Sequence, residues 1–325
     1  MPMKPGRPTA KLTLDGQSLT AVEAGVLGLS LRRAHGTHDT LLLSLWPRSK
    51  FADAAPGATL AVALGTDDSN EDVFAGEVSG LRTSPSALRI EAHSAIVALS
   101  RERKSATYRD QTVADIVQDL ASPVGVDEAK SDLKLSAYSV DHRRSVWSHL
   151  LDLAVLAGAE ISVAADGTLR FVPKGTRADS HTFHHGATLL TWDLHTRASP
   201  PVLTVVASGS ASAQGAERWH WLAHDPLGEN PEPSWLVGAF HTRDAADALA
   251  RSLKQDADRA SIQGTLRVVG TPTLRPGDQI QLEDLPGDAS GTFRVRIVHH
   301  TFHPRVGFVT DATVEGAGDS GGFGP

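Results

Sequence analysis

The sequence predicts a mainly β protein with an α+β insert: two similar β-barrels, tube-like and duplicated, plus a small α+β domain between them. Three observations predict this. Short apolar–polar alternations, broken by Gly, Asp and Pro turns at roughly ten-residue spacing, fill both ends of the chain. Helical periodicity and an Asp-Gly hairpin signal occupy the middle. The phrase PGATLAVALGTD at 56–67 has a counterpart, PGDQIQLEDLPG, at 276–287. At 325 residues the chain exceeds one ordinary core. The expected division is a first barrel over 1–103, the insert over 104–182, and a second barrel over 183–315 with one helix at 241–259. A flexible Gly-rich tail is expected over 316–325.

In chain order, alternation marks strands at Lys11–Leu14, Thr40–Trp46, Thr59–Leu64, Asp72–Val78 and Ala87–Ala92. The period then changes. Thr112 can cap a helix, with Asp115 three residues on in the capping-box position, and Val113, Ile116, Val117 and Leu120 follow at helical spacing. Ser122-Pro123 stops it. A second helix runs from about Ser145 through Trp147, Leu150, Leu151 and Ala154 to Ala157, with Gly158 as the residue that ends it. Ile161–Val163 and Leu169–Phe171 then flank Asp166-Gly167, a type I′ hairpin signal. Strands resume over 185–315, interrupted by a polar, Trp-bearing loop at 212–236 and an amphipathic helix from Thr242 to about Arg259. The last strands are expected at Thr265–Val269, Gln279–Leu282, Thr292–His299 and Gly307–Val314.

The repeat can be aligned residue by residue. Placing Pro56-Gly57 on Pro276-Gly277 puts Leu60 on Ile280 and Val62 on Leu282. One indel then puts Phe74 on Phe293, Val78 on Ile297 and Ile90 on Val309. The period is too long for a solenoid or propeller, which leaves a duplicated unit with an insertion.

Composition narrows the function. Net charge is −7 and the pI about 6.1, with no basic block or stripe, so a nucleic-acid partner is not expected. The chain has no cysteine, so disulfides and thiolate chemistry are excluded and a zinc site would rest on His and carboxylates. No run approaches ~18 apolar residues, so no stable membrane insertion is expected. The N-terminus lacks the apolar stretch of a signal peptide, and assembly in the cytoplasm is expected.

His181, His184 and His185 lie in HTFHH, and His299, His300 and His303 in HHTFH. Neither run has the His-Glu-x-x-His spacing that puts two ligands and a base on one helix face, and adjacent strand residues such as His299 and His300 point to opposite faces. Ser208–Ser212 lacks the G-x-S-x-G elbow. The pairs Glu283/Asp284 and Asp67/Asp68 sit in turn sequences rather than converging in a cleft. No phosphate-binding glycine loop is present. Trp219, Trp221 and Trp235 suit either an exposed sugar or protein contact or packing back onto the barrel. No catalytic, cofactor-binding or metal residue is assigned, and the chain is expected not to be an enzyme.

Three blocks resemble a known family. In the first, Phe74, Gly76 and Val78 form an F-x-G-x-V strand, followed by Leu99, Arg101, Tyr108 and the helix start Thr112–Ile116. YSVDHRRSVWSHLLDLAVLAGAEISVAADGTLRFVP is the second. The third ends in Gly270, Pro272, Leu274, Pro276, Gly277 and Asp278. Together, over about residues 10–315, they are similar to the late control D proteins of phages and the hub half of VgrG. The resemblance implies the central baseplate hub of a contractile tail or injection system. It implies a homotrimer whose six barrels form a pseudo-sixfold symmetry adaptor between a hexameric tail tube above and a trimeric spike below. Baseplate wedge proteins or cargo are further implied partners, and no cofactor is implied. A VgrG continues into its spike where this chain ends, so the spike is expected as a separate polypeptide. The alternative is a carbohydrate-binding or cell-wall-degrading tail module.

Overall fold

The computed structural model describes residues 7–66, 69–176, 179–196, 207–209, 221–223, 252, 256, 259–260, 262–286 and 290–317. The chain opens with β1 (Pro8–Leu14), β2 (Gln17–Thr20), β3 (Val26–Ala34), β4 (Thr40–Leu45), β5 (Thr59–Thr66), β6 (Ser69–Thr83) and β7 (Leu88–Ser94). A 3-10 turn at Ala95–Val97 and α1 (Ala98–Arg101) lead into the insert. There lie β8 (Ala106–Thr112), α2 (Val113–Ala121), β9 (Val126–Ala129), β10 (Lys134–Val140), α3 (Val146–Ala157), β11 (Ala159–Val163) and β12 (Leu169–Pro173). The chain returns through β13 (Ser180–His184), β14 (Leu189–Thr196), β15 (Ala207–Gly209), β16 (Trp221–Ala223), β17 (Ile262–Val269), β18 (Gln279–Glu283), β19 (Gly291–His303) and β20 (Gly307–Gly316).

The protein is mainly β, as expected, but among the described residues the two barrel regions share one sheet. Thirteen strands join in a single curled sheet whose path runs β14-β17-β20-β19-β3-β4-β7-β6-β5-β1-β2, with β13 and β18 attached through β19. The join is β3 on β19, antiparallel from Ala34↔Ile297 to Leu29↔Phe302. The pairing order β1-β5-β6-β7-β4-β3 on one side of the join matches β13-β18-β19-β20-β17-β14 on the other. The match is imperfect, since β1 runs antiparallel to β5 whereas β13 runs parallel to β18.

Register corrects the expected alignment. Gly57 N donates to Val78 O at 2.8 Å, and Gly277 N donates to Val295 O at 2.9 Å; both glycines have positive φ, 90° and 97°. The counterpart of Val78 is therefore Val295, not Ile297. Leu60 faces Gly76 across β5–β6, while Ile280 faces Phe293 across β18–β19. Phe293 thus stands where Gly76 stands, and Phe74 is not its equivalent. The sequences F-A-G (74–76) and G-T-F (291–293) carry the same ring two positions apart. A Cβ on Gly76 would lie 2.8 Å from the Phe74 ring, and one on Gly291 would lie 3.7 Å from the Phe293 ring. In each strand the ring leans over its glycine, so aromatic identity misaligns the strands.

Among the described residues, three apolar clusters form the core. One fills the β1–β7 side, with Leu12, Leu31, Leu43, Leu64 and Phe51. Another fills the β13–β20 side, with Val268, Leu274, Ile280, Val295 and Val314. The third belongs to the insert, where Ile116, Val117 and Leu120 of α2 and Leu150 and Leu153 of α3 pack with Ile161 and Phe171. The helix ends follow their residues. Thr112 and Asp115 form the capping box, Ser145 caps α3, and Gly158 closes it at φ 60°. The 161–171 hairpin differs from expectation: type I′ needs positive φ at both central residues, and only Gly167 has it (90°). Gly167 N donates to Ala164 O, and Asp166 accepts from the Thr168 amide and hydroxyl, which gives a longer loop with glycine at the left-handed position.

Of the helix expected at 241–259, Ser252, Asp256 and Arg259 are described, in helical conformation. Asp67, Asp68, Trp219, Trp235 and the 318–325 part of the tail lie outside the described residues, as does the side chain of Trp221. Among the described residues no helix is long and apolar enough to cross a membrane.

Candidate functional site

The densest polar chemistry lies where the insert meets the β3–β19 join. Near the end of β3, Arg33 is 1% exposed. Its Nε donates to Asp39 Oδ2 at 2.8 Å and its Nη2 to Val163 O at 2.7 Å, so a strand residue clamps the end of β11. Gly36 N donates to Ile161 O at 2.9 Å beside it. Burial pushes the Asp39 carboxyl up to about 6, against the pull of the Arg33 guanidinium.

A second ionic group closes the other side of the seam. Arg294 on β19 bonds Glu160 of β11 and lies 3.4 Å from Glu315 of β20, which also meets Arg296 at 3.3 Å. His35 Nε2 is 3.6 Å from Glu160. Burial raises the Glu160 carboxyl, but His35 and Arg294 outweigh it and hold it below the ordinary carboxylate range. For Glu315, burial wins over Arg296 and Arg294, and its carboxyl is raised. Burial lowers His35 despite Glu160, which favours its neutral ring. These residues border a cleft of about 750 Å³ whose apolar wall includes Leu151, Val155 and Ile297. At its rim Lys174 Nζ donates to Asp256 at 2.7 Å and to Ser252 at 3.1 Å. Chemically this is a set of charges that neutralise one another across three parts of the chain.

The histidines expected as possible ligands are dispersed. His181 Nε2 is 3.2 Å from Asp278, and its ring stacks on Phe183. His184 lies at the surface, 3.0 Å from Asp284 and 3.5 Å from Glu283. His185 is exposed. His299 Nε2 meets Ser30 Oγ at 2.7 Å, while His300, on the opposite face, is fully buried against Thr310 Oγ1 at 3.0 Å. His303 Nδ1 accepts from the Arg305 and Val306 amides. Among the described residues no three metal-capable side chains gather. Ser208 and Gly209 fall in β15, paired with Leu222 and Trp221, and 210–212 lie outside the described residues.

Sequence reading missed both ionic groups. Their signal was present as charges inside apolar strands, in Leu31-Arg-Arg-Ala34 and Phe293-Arg-Val-Arg-Ile297. A strand pattern does not reveal which distant carboxylate will meet such a charge.

The family described as the Alg8 N-terminal domain matches residues 44–220, more than half of the chain. The chain belongs to the Alg8 N-terminal domain family. In this Alg8 N-terminal domain member the matched span takes in β5–β7, the whole insert with Glu160, and β13–β14. No curated protein matches. Among solved structures, a tail protein from Neisseria meningitidis MC58 superposes with a TM-score of 0.72 at 14% identity, covering 95% of this chain and 96% of that one. The 43 kDa tail protein of prophage MuSo2 from Shewanella oneidensis gives 0.70 at 12% identity, covering 96% and 99%. An E. coli type VI secretion component, described as similar to the T4 tail proteins gp27 and gp5, gives 0.63 at 13% identity, covering 97% and 79%. The three likenesses establish a shared fold.

Proposed function

We propose that this chain is the structural hub of a contractile tail-like apparatus. The observation that carries the reading is end-to-end likeness in both directions to tail proteins, 95% of this chain against 96% of one and 96% against 99% of another. The matched pairing order on the two sides of the β3–β19 join supports reading the halves as two tube-like barrels flanking the α+β insert. Three chains then present six similar units to a hexameric tube through heterologous contacts, while the insert follows threefold symmetry toward a trimeric spike. The work is mechanical: to hold tube and spike together and to transmit force. No reaction and no cofactor is assigned. Its partners are two further copies of itself, tube subunits and a spike, with wedge proteins or cargo around them.

Coexpression with the tube and spike proteins of the same particle, followed by native mass spectrometry, tests this. The expected species is a trimer of the 34.4 kDa chain that captures the spike. A chain that stays monomeric in the presence of both proteins overturns the reading.

A further inference from the structure

The two ends of the joined sheet differ in chemistry. At one end, Ala34, Thr40, His93 and Ile297 lie beside the insert and its ion pairs. The other end is defined by Val26↔Leu45, Leu45↔Leu88 and Leu29↔Phe302. Here the chain turns at 21–25, 84–87 and 303–307, and leaves β4 at Trp46. Three large apolar side chains are exposed at this end: Val22 at 77%, Trp46 at 60% and Val306 at 82%. The Trp46 amide donates to the Gly25 carbonyl at 2.9 Å, so the exposed indole adjoins the turn that carries Val22.

Charge points the same way. Arg82 and Arg89 face each other directly across β6–β7, a like-charge pairing that costs stability in a lone chain. Arg48 follows Trp46, and Arg305 precedes Val306. No ion pair engages any of these four arginines among the described residues. The chain as a whole is at −7, so four exposed arginines on or beside turns at one end of the sheet run against its overall charge. Arg and Trp are also the residue types that dominate protein–protein binding energy. Finally, turns 84–87 and 303–307 occupy matching places in the two pairing orders, β6–β7 and β19–β20, and each has a proline as its second residue, Pro85 and Pro304.

We infer that this end, away from the insert, docks an acidic protein ring through two like contacts per chain, one at each of these proline-bearing turns. The inference rests on the hub reading and assigns the ring to the tube subunits, with carboxylates meeting the arginines and apolar side chains covering Trp46 and Val306.

The test coexpresses the full chain with its tube and spike proteins and compares Arg82→Glu/Arg89→Glu, Trp46→Ala and wild type. Tube capture should fall about tenfold or more in each variant, and wild-type capture should weaken between about 50 and about 500 mM salt. Trimer formation and spike capture should not change. Thermal unfolding checks each variant, and Arg305→Glu replaces any that does not fold. Unchanged tube capture overturns the inference. Loss of the trimer in the variants also overturns it, because the end would then be a contact between copies. So does wild-type binding of duplex DNA or phosphatidylserine vesicles through Arg82 and Arg89 with the tube ignored. A wild-type chain that neither trimerises nor captures the spike instead refutes the hub reading beneath it.

Discussion

His300 and Asp39 sit within the same seam region and titrate with opposite effect. His300 is fully buried on β19, and burial, aided by Arg33 and His299, drives its pKa down from 6.5 to about 3. Above pH 6.5 the ring is neutral in both the folded and the unfolded chain. As pH falls from 6.5 toward 3, the unfolded chain takes up a proton that the folded chain refuses, so stability is lost over that window, by at most about 1.4 kcal/mol per pH unit. Asp39 has its folded pKa raised from 3.8 to about 6, so its contribution favours acid and is lost as pH rises from about 4 to about 6. Replacing His300 with Leu removes the first effect and leaves the second. Melting temperatures for His300→Leu should decline less than wild type between pH 6 and pH 4. Parallel curves for the two proteins would refute the assignment.

At the scale of elements, the exchange of ring and glycine in β6 and β19 makes a pointed prediction. A Cβ on Gly76 would lie 2.1 Å from the His93 carbonyl oxygen, a backbone atom held by the β6–β7 ladder, and 2.8 Å from the Phe74 ring. Gly76→Ala should therefore destabilise by about 1–3 kcal/mol in denaturant unfolding, whereas Gly80→Ala, with nothing within 4 Å, should cost far less. This also shows where the sequence was legible. The α2 capping box, the Gly158 stop and the last four strands could be read because their signals are local. β3 was not expected, although it joins the two sides of the sheet. Its run, VLGLSLRRA, carries two arginines just before its last residue, and no local pattern says that one is buried in an ion pair or that the strand pairs with residues 297–302. The repeat was visible through Pro-Gly, but its register was not, because a side chain can reach the same space from two positions along a strand.

At the scale of the whole molecule, the question is what fixes the insert to the sheet. The insert has an apolar core of its own, so it can persist as a unit even if its attachment weakens. The attachment is largely polar: Arg33 on Val163, Gly36 on Ile161, and Arg294 between Glu160 and Glu315. Removing one partner of such a group leaves uncompensated charge in a desolvated place, which costs about 3–5 kcal/mol, more than a surface ion pair contributes. Arg294→Met strands Glu160 beside a His35 held neutral and leaves Glu315 with Arg296 as its one ion-paired cation among the described residues. The expected result is a loss of stability on that order. Hydrogen exchange should rise in β11 and at the start of β19, while the α2–α3 core keeps its protection. Adding Glu160→Gln and Glu315→Gln to Arg294→Met should recover part of the loss, because the stranded charges are gone. If Arg294→Met instead loosens α2, β11 and β19 to the same extent, insert and sheet unfold as one cooperative body, and the seam does not separate them. If it changes neither, the ionic group contributes little, and the apolar wall of Leu151, Val155 and Ile297 holds the insert in place.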